Sequence, residues 1–232
     1  MAGEHWLQTI PTGKAAHRAR MDALRREREA EDAKRKTEAR ETAQAIWAAA
    51  PGIISHAYLE RKHVNSYKLR LYRGGLVISG MPCDGCLIVP ARDTAGVVHT
   101  LEFIHADARG GDNKRFLPGG DYKAFYFSIG KPCGTICVVE GFATGATVHE
   151  ATGHAVAVAF SAGNLTAVAL ALRAKYPTTK IILCADNDRF TPGNPGVTKA
   201  TEAARAVGGF LAVPQFEDVG PYDYYPEGRG HG

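Results

Sequence analysis

The most constraining feature of this chain is a regular alternation of apolar and helix-like segments between Gly134 and Pro214. The apolar segments TICVV, AVAVAF, KIILC and FLAVP are nearly continuous. The segments between them, ATGATVHEATG, NLTAVALALRAKY and GVTKATEAARAVGG, have the length and composition of helices. Strands that are apolar on both faces and alternate with helices predict a parallel sheet with helices on both sides. The predicted fold class is therefore α/β.

Two different regions precede this one. Residues 14 to 50 are predicted to form one charged helix. Between Lys14 and Glu41, this helix contains ten Lys or Arg and seven Asp or Glu, which gives a net charge of +3. After Pro51, a short helix and several β-like runs separated by Gly, Asp and Asn predict a small α+β module with an antiparallel sheet. The predicted organisation is a basic, charged helical arm at 1–50, the module at 51–131, the α/β domain at 132–214 and a C-terminal tail at 215–232.

Acidic residues follow two of the predicted parallel strands. Glu140 ends the first strand, and Asp186 and Asp188 end the third. Ligands of open α/β sheets bind at the carboxyl ends of the strands, and side chains two residues apart in an extended segment share one face. If the two strands are neighbours, Glu140 faces the two Asp residues. Three clustered carboxylates repel one another unless a cation or a proton lies between them. Hard oxygen ligands suit Mg²⁺.

The segments that carry these acids resemble those of a known family. The segments VVEGFATGATVHEATG and ILCADND resemble the Toprim domain of primases, topoisomerases, OLD-type nucleases and recombination proteins, over about residues 134–214. The segments AYLERKHV, KRFLPGG and AVAFSAGNL resemble plasmid and phage primases and primase-helicases, and they extend the similarity back to about Ala45.

The resemblance implies a function and roles for the acids. Glu140 would be the general acid–base residue, and Asp186 and Asp188 would hold Mg²⁺, with Mn²⁺ as an alternative. The chain would be a DNA primase, a nucleotidyltransferase that makes short primers in a plasmid or phage-like replication system. Its partners would be single-stranded DNA, nucleoside triphosphates and a replicative helicase. Asp223 matches one acid of a further segment found in such primases and is an additional candidate.

Two alternatives stay open at this stage. The same acids support strand cleavage, so a Toprim nuclease is the first alternative. The second is a DNA-binding Toprim remnant without catalysis.

Basic residues outside the acidic cluster are candidates for phosphate contacts. Lys114 and Arg115 are predicted to lie in a glycine-flanked loop, where they can bind template or nucleotide phosphates. Phe116 is a candidate for stacking on a base. Lys62 and Arg70 are further candidates. Asn164, after Gly163, is predicted either to cap the following helix or to open a phosphate-binding turn.

Other classes of protein find little support in the sequence. Cys83 and Cys86 form a single Cys-x-x-Cys, whereas a structural zinc site needs four ligands, so no zinc is expected. No apolar run is long enough to span a bilayer, so no membrane partner is expected. Five irregularly spaced cysteines are expected to be reduced thiols in a cytoplasmic protein. The net charge of +4 favours polyanionic partners only mildly.

Overall fold

The computed structural model describes residues 13–107 and 113–215. The described helices are α1 (Gly13–Ala49), α2 (Ala57–Lys62), α3 (Phe142–Thr152), α4 (Leu165–Lys175) and α5 (Pro195–Val207). The described strands are β1 (Arg70–Leu71), β2 (Val77–Ile78), β3 (Met81–Pro82), β4 (Leu87–Arg92), β5 (Val98–Ile104), β6 (Lys114–Phe116), β7 (Phe127–Ile129), β8 (Thr135–Val139), β9 (Ala155–Val158), β10 (Lys180–Cys184) and β11 (Phe210–Ala212).

A small antiparallel sheet with the strand order β1-β4-β5-β6 forms the first layer. The carboxyl-terminal part of α1 packs on one face of it, where Ala43 is buried together with Leu101 and Phe103 of β5, and Ala39 is also buried. Alanine side chains allow this close approach. A bond from Gln44 Nε2 to the carbonyl of Val98 (3.0 Å) also ties α1 to the sheet.

The remainder of α1 is exposed and rich in charged residues. Its ion pairs, such as Arg25 with Glu29 at 3.6 Å, lie on the surface and contribute little to stability. Among the described helices, none combines the length and the apolar character that a membrane crossing requires.

The main sheet has the strand order β11-β10-β8-β9-β7. Four of its strands are parallel, and β7 runs antiparallel to β9 at one edge. Helix α3 covers one face, and α4 and α5 cover the other. Gly145 of α3 lies so close to the sheet that a Cβ atom there would come within 2.8 Å of Val158. The predicted α/β architecture, with a charged amino-terminal helix and a small antiparallel module, is confirmed.

The small module and the main sheet share a hydrophobic core. Leu87 and Val89 of β4 belong to the same buried cluster as Val139 of β8 and Val158 of β9. Strand β7, which precedes residue 132 in the chain, pairs with β9 through Ile129 and its neighbours. The boundary placed between residues 131 and 132 stays a prediction, because pairing and packing join the two parts across it.

Two local predictions differ from the structure. Lys114 to Phe116 form strand β6 instead of lying in a loop, because β5 offers a free edge for pairing. Asn164 does not cap α4 with its side chain. It is buried, and its amide donates to the carbonyls of Tyr122, Phe125 and Ala159 while its oxygen accepts from Ala124 N–H. Asn164 thus fastens the turn before β7 to the end of β9.

Candidate active site

The two acidic segments lie at one edge of the main sheet. Strands β8 and β10 are hydrogen-bonded neighbours, with Val138 opposite Leu183. Glu140 directly follows β8, and Asp186 lies two residues beyond the end of β10. Both acids line a pocket of about 380 Å³. The neighbouring strands therefore bring together acids that lie 46 positions apart in the sequence.

Electrostatic repulsion is built into this pocket. Burial, followed by the charge of Asp186, raises the pKa of Glu140 above its usual value. Burial and the charge of Asp188 likewise raise the pKa of Asp186. A hydrogen bond from the Ala162 N–H to Glu140 and one from Thr144 to Asp186 partly offset these effects. A cation near these oxygens would relieve the remaining repulsion.

The start of α5 holds Asp188 in place. The Gly196 N–H donates to Asp188 Oδ2 at 3.1 Å, and the Asp188 N–H donates to Asn194 Oδ1 at 3.0 Å. Asn194 Nδ2 in turn donates to Asn187 Oδ1 at 2.9 Å. A Cβ atom on residue 196 would lie 2.3 Å from the carbonyl oxygen of Asp186. Only glycine at this position lets the helix approach the acidic loop so closely.

Replacing Gly196 with Ala is expected to lower the free energy of unfolding by about 1–3 kcal/mol, the usual cost of overpacking. It should also weaken binding of Mg²⁺, because the new methyl group displaces the loop that carries Asp186 and Asp188. Denaturant unfolding and calorimetric titration of Mg²⁺ measure the two effects. Gly75→Ala is the matched control, since a Cβ atom at Gly75 meets no atom within 4 Å. Equal stability and metal affinity in the two variants would contradict the account of this loop.

The three acids fit a hard divalent cation by their chemistry, since all of their donor atoms are carboxylate oxygens. Their mutual repulsion also favours binding of a cation. Within residues 13–107 and 113–215, however, no three His, Cys, Asp or Glu side chains converge into a complete ligand group. Glu140 and Asp186 share the pocket, and Asp188 contacts the start of α5.

Lys114 reaches this pocket from the small sheet. Its ammonium lowers the pKa of both Glu140 and Asp186, although burial and the neighbouring acids have larger effects. A Cβ atom built on Gly141 would lie 3.8 Å from Lys114 Nζ, so the ammonium lies beside the end of β8. Among the described residues, no carboxylate oxygen lies within 4.0 Å of this nitrogen. Lys114 is thus a cation near several acids without a contact ion pair.

The other basic candidates are placed differently. Lys62, at the end of α2, lines the same pocket. Arg115 does not line it: as the next residue along β6, it points to the opposite face of the small sheet. Arg70 lies in a separate groove, where its guanidinium stacks over the Trp47 ring and donates to the Ala48 carbonyl at 3.4 Å. The structure therefore brings Lys62 and Lys114, but not Arg70 or Arg115, to the acids.

The remaining candidates have their own surroundings. The Phe116 ring stacks on Tyr122, with the centroids 4.3 Å apart, and its edge contacts Phe160. One face of Phe116 is therefore already covered. Asp223 lies outside the described residues. Cys83 and Cys86 are buried beneath α1, and burial raises the pKa of Cys86 to about 12.

Several pocket residues were not among the sequence candidates. Tyr58 and Arg61 of α2, Asn113 before β6 and Thr144 of α3 line the pocket with the acids. Thr144 was detectable in principle, because a polar residue in the first turn of the helix after Glu140 must lie near the strand end. The other three carry no such local signal, since only the packing of the small module on the main sheet brings them there.

The parallel sheet carries acids at the ends of two adjacent strands, which is the arrangement expected from the sequence. Residues 134–214 match the sequence model of the Toprim domain family, and we refer to this part of the chain as the Toprim domain. Over 137 residues, the chain is 41% identical to a DNA primase TraC of Escherichia coli and, over the same length, 39% identical to a second E. coli protein of that name. These matches cover 55% of this chain but only 12% and 9% of those proteins.

The fold is also similar to a solved structure. The structure of the DnaG primase catalytic domain bound to ssDNA superposes with a TM-score of 0.53 at 13% sequence identity, covering 81% of this chain and 74% of that chain. At this identity, the similarity shows a shared fold. The resemblance to the Toprim domain and to primases that the sequence indicated is confirmed.

Proposed function

We propose that this chain is the catalytic part of a DNA primase, which joins nucleoside triphosphates into short primers on a single-stranded DNA template. The observation that carries the proposal is the pocket that Glu140, Asp186 and Lys114 share, in which the acids follow β8 and β10 and Lys114 reaches them from β6. The similarity to proteins named DNA primase supports this chemistry.

Each group in the pocket has a role in this proposal. In primer extension, a 3′-hydroxyl attacks the α-phosphate of a nucleoside triphosphate, the bond to the β-phosphate breaks and pyrophosphate leaves. A positioned carboxylate can accept the hydroxyl proton. Glu140 performs this role, and its raised pKa makes it a better proton acceptor than an ordinary carboxylate. Asp186 and Asp188 would hold Mg²⁺, for which Mn²⁺ could substitute, and the ion would neutralise charge on the phosphates. Lys114 binds the triphosphate of the incoming nucleotide, and Lys62 binds a template phosphate.

The remaining predicted contacts with DNA also belong to the proposal. Arg115, Phe116 and Arg70 stay predicted contacts of the template, and Asp223 stays an additional acid. The proposed setting is a plasmid or phage-like replication system, in which a replicative helicase would deliver the single strand.

The test is a pair of assays on the same preparation. Labelled nucleoside triphosphates and circular single-stranded DNA are incubated with and without Mg²⁺, and supercoiled plasmid is incubated with Mg²⁺ alone. The proposal predicts short labelled products that require Mg²⁺ and an intact plasmid. Nicked plasmid without labelled product would establish a nuclease instead. DNA binding without either activity, unaffected by loss of the acids, would establish a non-catalytic domain.

Replacing Lys62 with Ala is expected to weaken binding of single-stranded DNA of every sequence. Each lost phosphate contact also lowers the slope of log affinity against log salt by about 0.7. Fluorescence anisotropy across a salt series measures both effects. Lys180→Ala is the control, because Lys180 starts β10 and the acids follow the opposite end of that strand. A loss of affinity with an unchanged salt slope would show that Lys62 does not contact phosphate.

A further inference from the structure

A buried acid outside the lining of the pocket has no role in the proposed chemistry. Glu102 of β5 is only 3% exposed. Burial of a carboxylate is costly without a compensating charge. Burial raises the pKa of Glu102, and Lys114 is the charge that opposes this effect. The same ammonium therefore interacts electrostatically with Glu102 and with the acids of the pocket, although it forms no contact ion pair with the described acids.

The strand register explains this arrangement. Glu102 pairs with Phe116, and Ile104 pairs with Lys114, across β5 and β6. These four side chains share one face of the small sheet, and Glu102 and Lys114 are diagonal neighbours, a spacing that long side chains can bridge. Ile104 and Phe116 belong to the core shared with the Toprim domain. From this face of the sheet, Lys114 extends towards Gly141 at the end of β8.

The position of Lys114 depends on which charges attract it. Glu140 and Asp186 attract the ammonium while they carry uncompensated charge. A divalent cation held by Asp186 and Asp188 would weaken that attraction and repel the ammonium. Glu102 lies outside the pocket lining, so its attraction for Lys114 persists when the acids are neutralised.

We propose that Glu102 is a positioning residue, which retains the Lys114 ammonium in the pocket of the metal-loaded protein so that it meets the triphosphate of the nucleotide. This inference rests on the proposed function, because it takes a nucleoside triphosphate as the substrate. It assigns a role to a residue that touches neither the substrate nor the proposed metal ligands.

The experiment is a double-mutant cycle on nucleotide binding. Glu102→Gln, Lys114→Met and the double variant are titrated with ATP in Ca²⁺, so that binding is measured without turnover. We expect Glu102→Gln to weaken ATP binding about tenfold, or about 1.4 kcal/mol. Lys114→Met should weaken it at least as much. The double variant should bind no more weakly than Lys114→Met, because Glu102 acts only through Lys114.

Two controls separate positioning from folding. Removal of a buried charge should leave the melting temperature of Glu102→Gln unchanged or higher, and Glu102→Met should reproduce the loss of ATP affinity. Glu202→Gln is the matched control, since Glu202 is exposed on α5 and pairs with Lys199 at 2.8 Å. It should bind ATP like the unchanged protein.

The outcomes distinguish this inference from the proposed function. Additive losses in the double variant, unchanged ATP affinity in Glu102→Gln, or no ATP binding by the unchanged protein would each overturn the role of Glu102. Coupled losses in a protein that makes no primers would support that role and overturn the primase proposal. Primer synthesis by a protein in which the two losses are not coupled would support the primase proposal and overturn the role of Glu102.

Discussion

Replacing Glu140 with Gln is expected to lower nucleotidyl transfer by about 10²–10⁴-fold, the usual contribution of a positioned general base. Gln has nearly the same shape but cannot accept the proton of the attacking hydroxyl. The fold and the affinity for single-stranded DNA should be retained, because Glu140 follows β8 without belonging to the shared core. Single-turnover incorporation of a labelled nucleotide measures the effect on the chemical step.

The control for this variant is Glu150→Gln. Glu150 lies on α3, is exposed, and accepts hydrogen bonds from Asn65 Nδ2 and Tyr67 OH, each at 2.9 Å. Its replacement tests the effect of losing a carboxylate elsewhere in the Toprim domain, and incorporation should be unchanged. Incorporation near the original rate in purified Glu140→Gln would remove Glu140 from the mechanism.

Replacing Asp186 or Asp188 with Asn should weaken Mg²⁺ binding by more than about tenfold. Loss of even an outer hydrogen-bond partner of a metal ligand typically costs about 10–100-fold in affinity, and these residues are proposed as direct ligands. Calorimetric titration of Mg²⁺ into each variant gives the result. Unchanged affinity in both variants would place the cation elsewhere.

Asp186→Asn should also raise the melting temperature in metal-free buffer at neutral pH. The pKa of Asp186 is raised in the folded protein, so the fold loses stability as the pH rises from the ordinary carboxyl pKa of 3.8 to that raised pKa. Asn does not ionise and escapes this cost. The gain should shrink as the pH falls and vanish below the ordinary carboxyl pKa of 3.8, where Asp186 is protonated in both states. A gain that is independent of pH would contradict this explanation.

The sequence predicted the parts of the fold that depend on local pattern. Apolar strands alternating with helices indicated the parallel sheet, and the charge-rich stretch before Pro51 indicated α1. Glu140 and the Asp-x-Asp segment could be placed at one edge because parallel strands end on the same side of a sheet. In the structure, β8 and β10 are hydrogen-bonded neighbours, as this placement requires.

The parts that sequence reasoning missed depend on contacts between distant segments. Lys114 and Arg115 appeared equivalent in a glycine-flanked segment, but pairing of β6 with β5 sends them to opposite faces. Asn164 looked like a helix cap, whereas its amide fastens the turn at residues 122–125. The need for glycine at position 196 arises only where α5 meets the acidic loop. Glu102 carries no local signal in the sequence of β5, because only its burial in the folded protein distinguishes it.

The central claim, template-directed nucleotidyl transfer at the acidic pocket, is tested most directly with templates of one base. The protein is incubated with Mg²⁺, oligo(dT) and one labelled nucleoside triphosphate at a time, and the products are separated by length. The account predicts short products from ATP but not from CTP, and none from the Glu140→Gln variant. Products of equal yield from both nucleotides, or products that persist in Glu140→Gln, would contradict it.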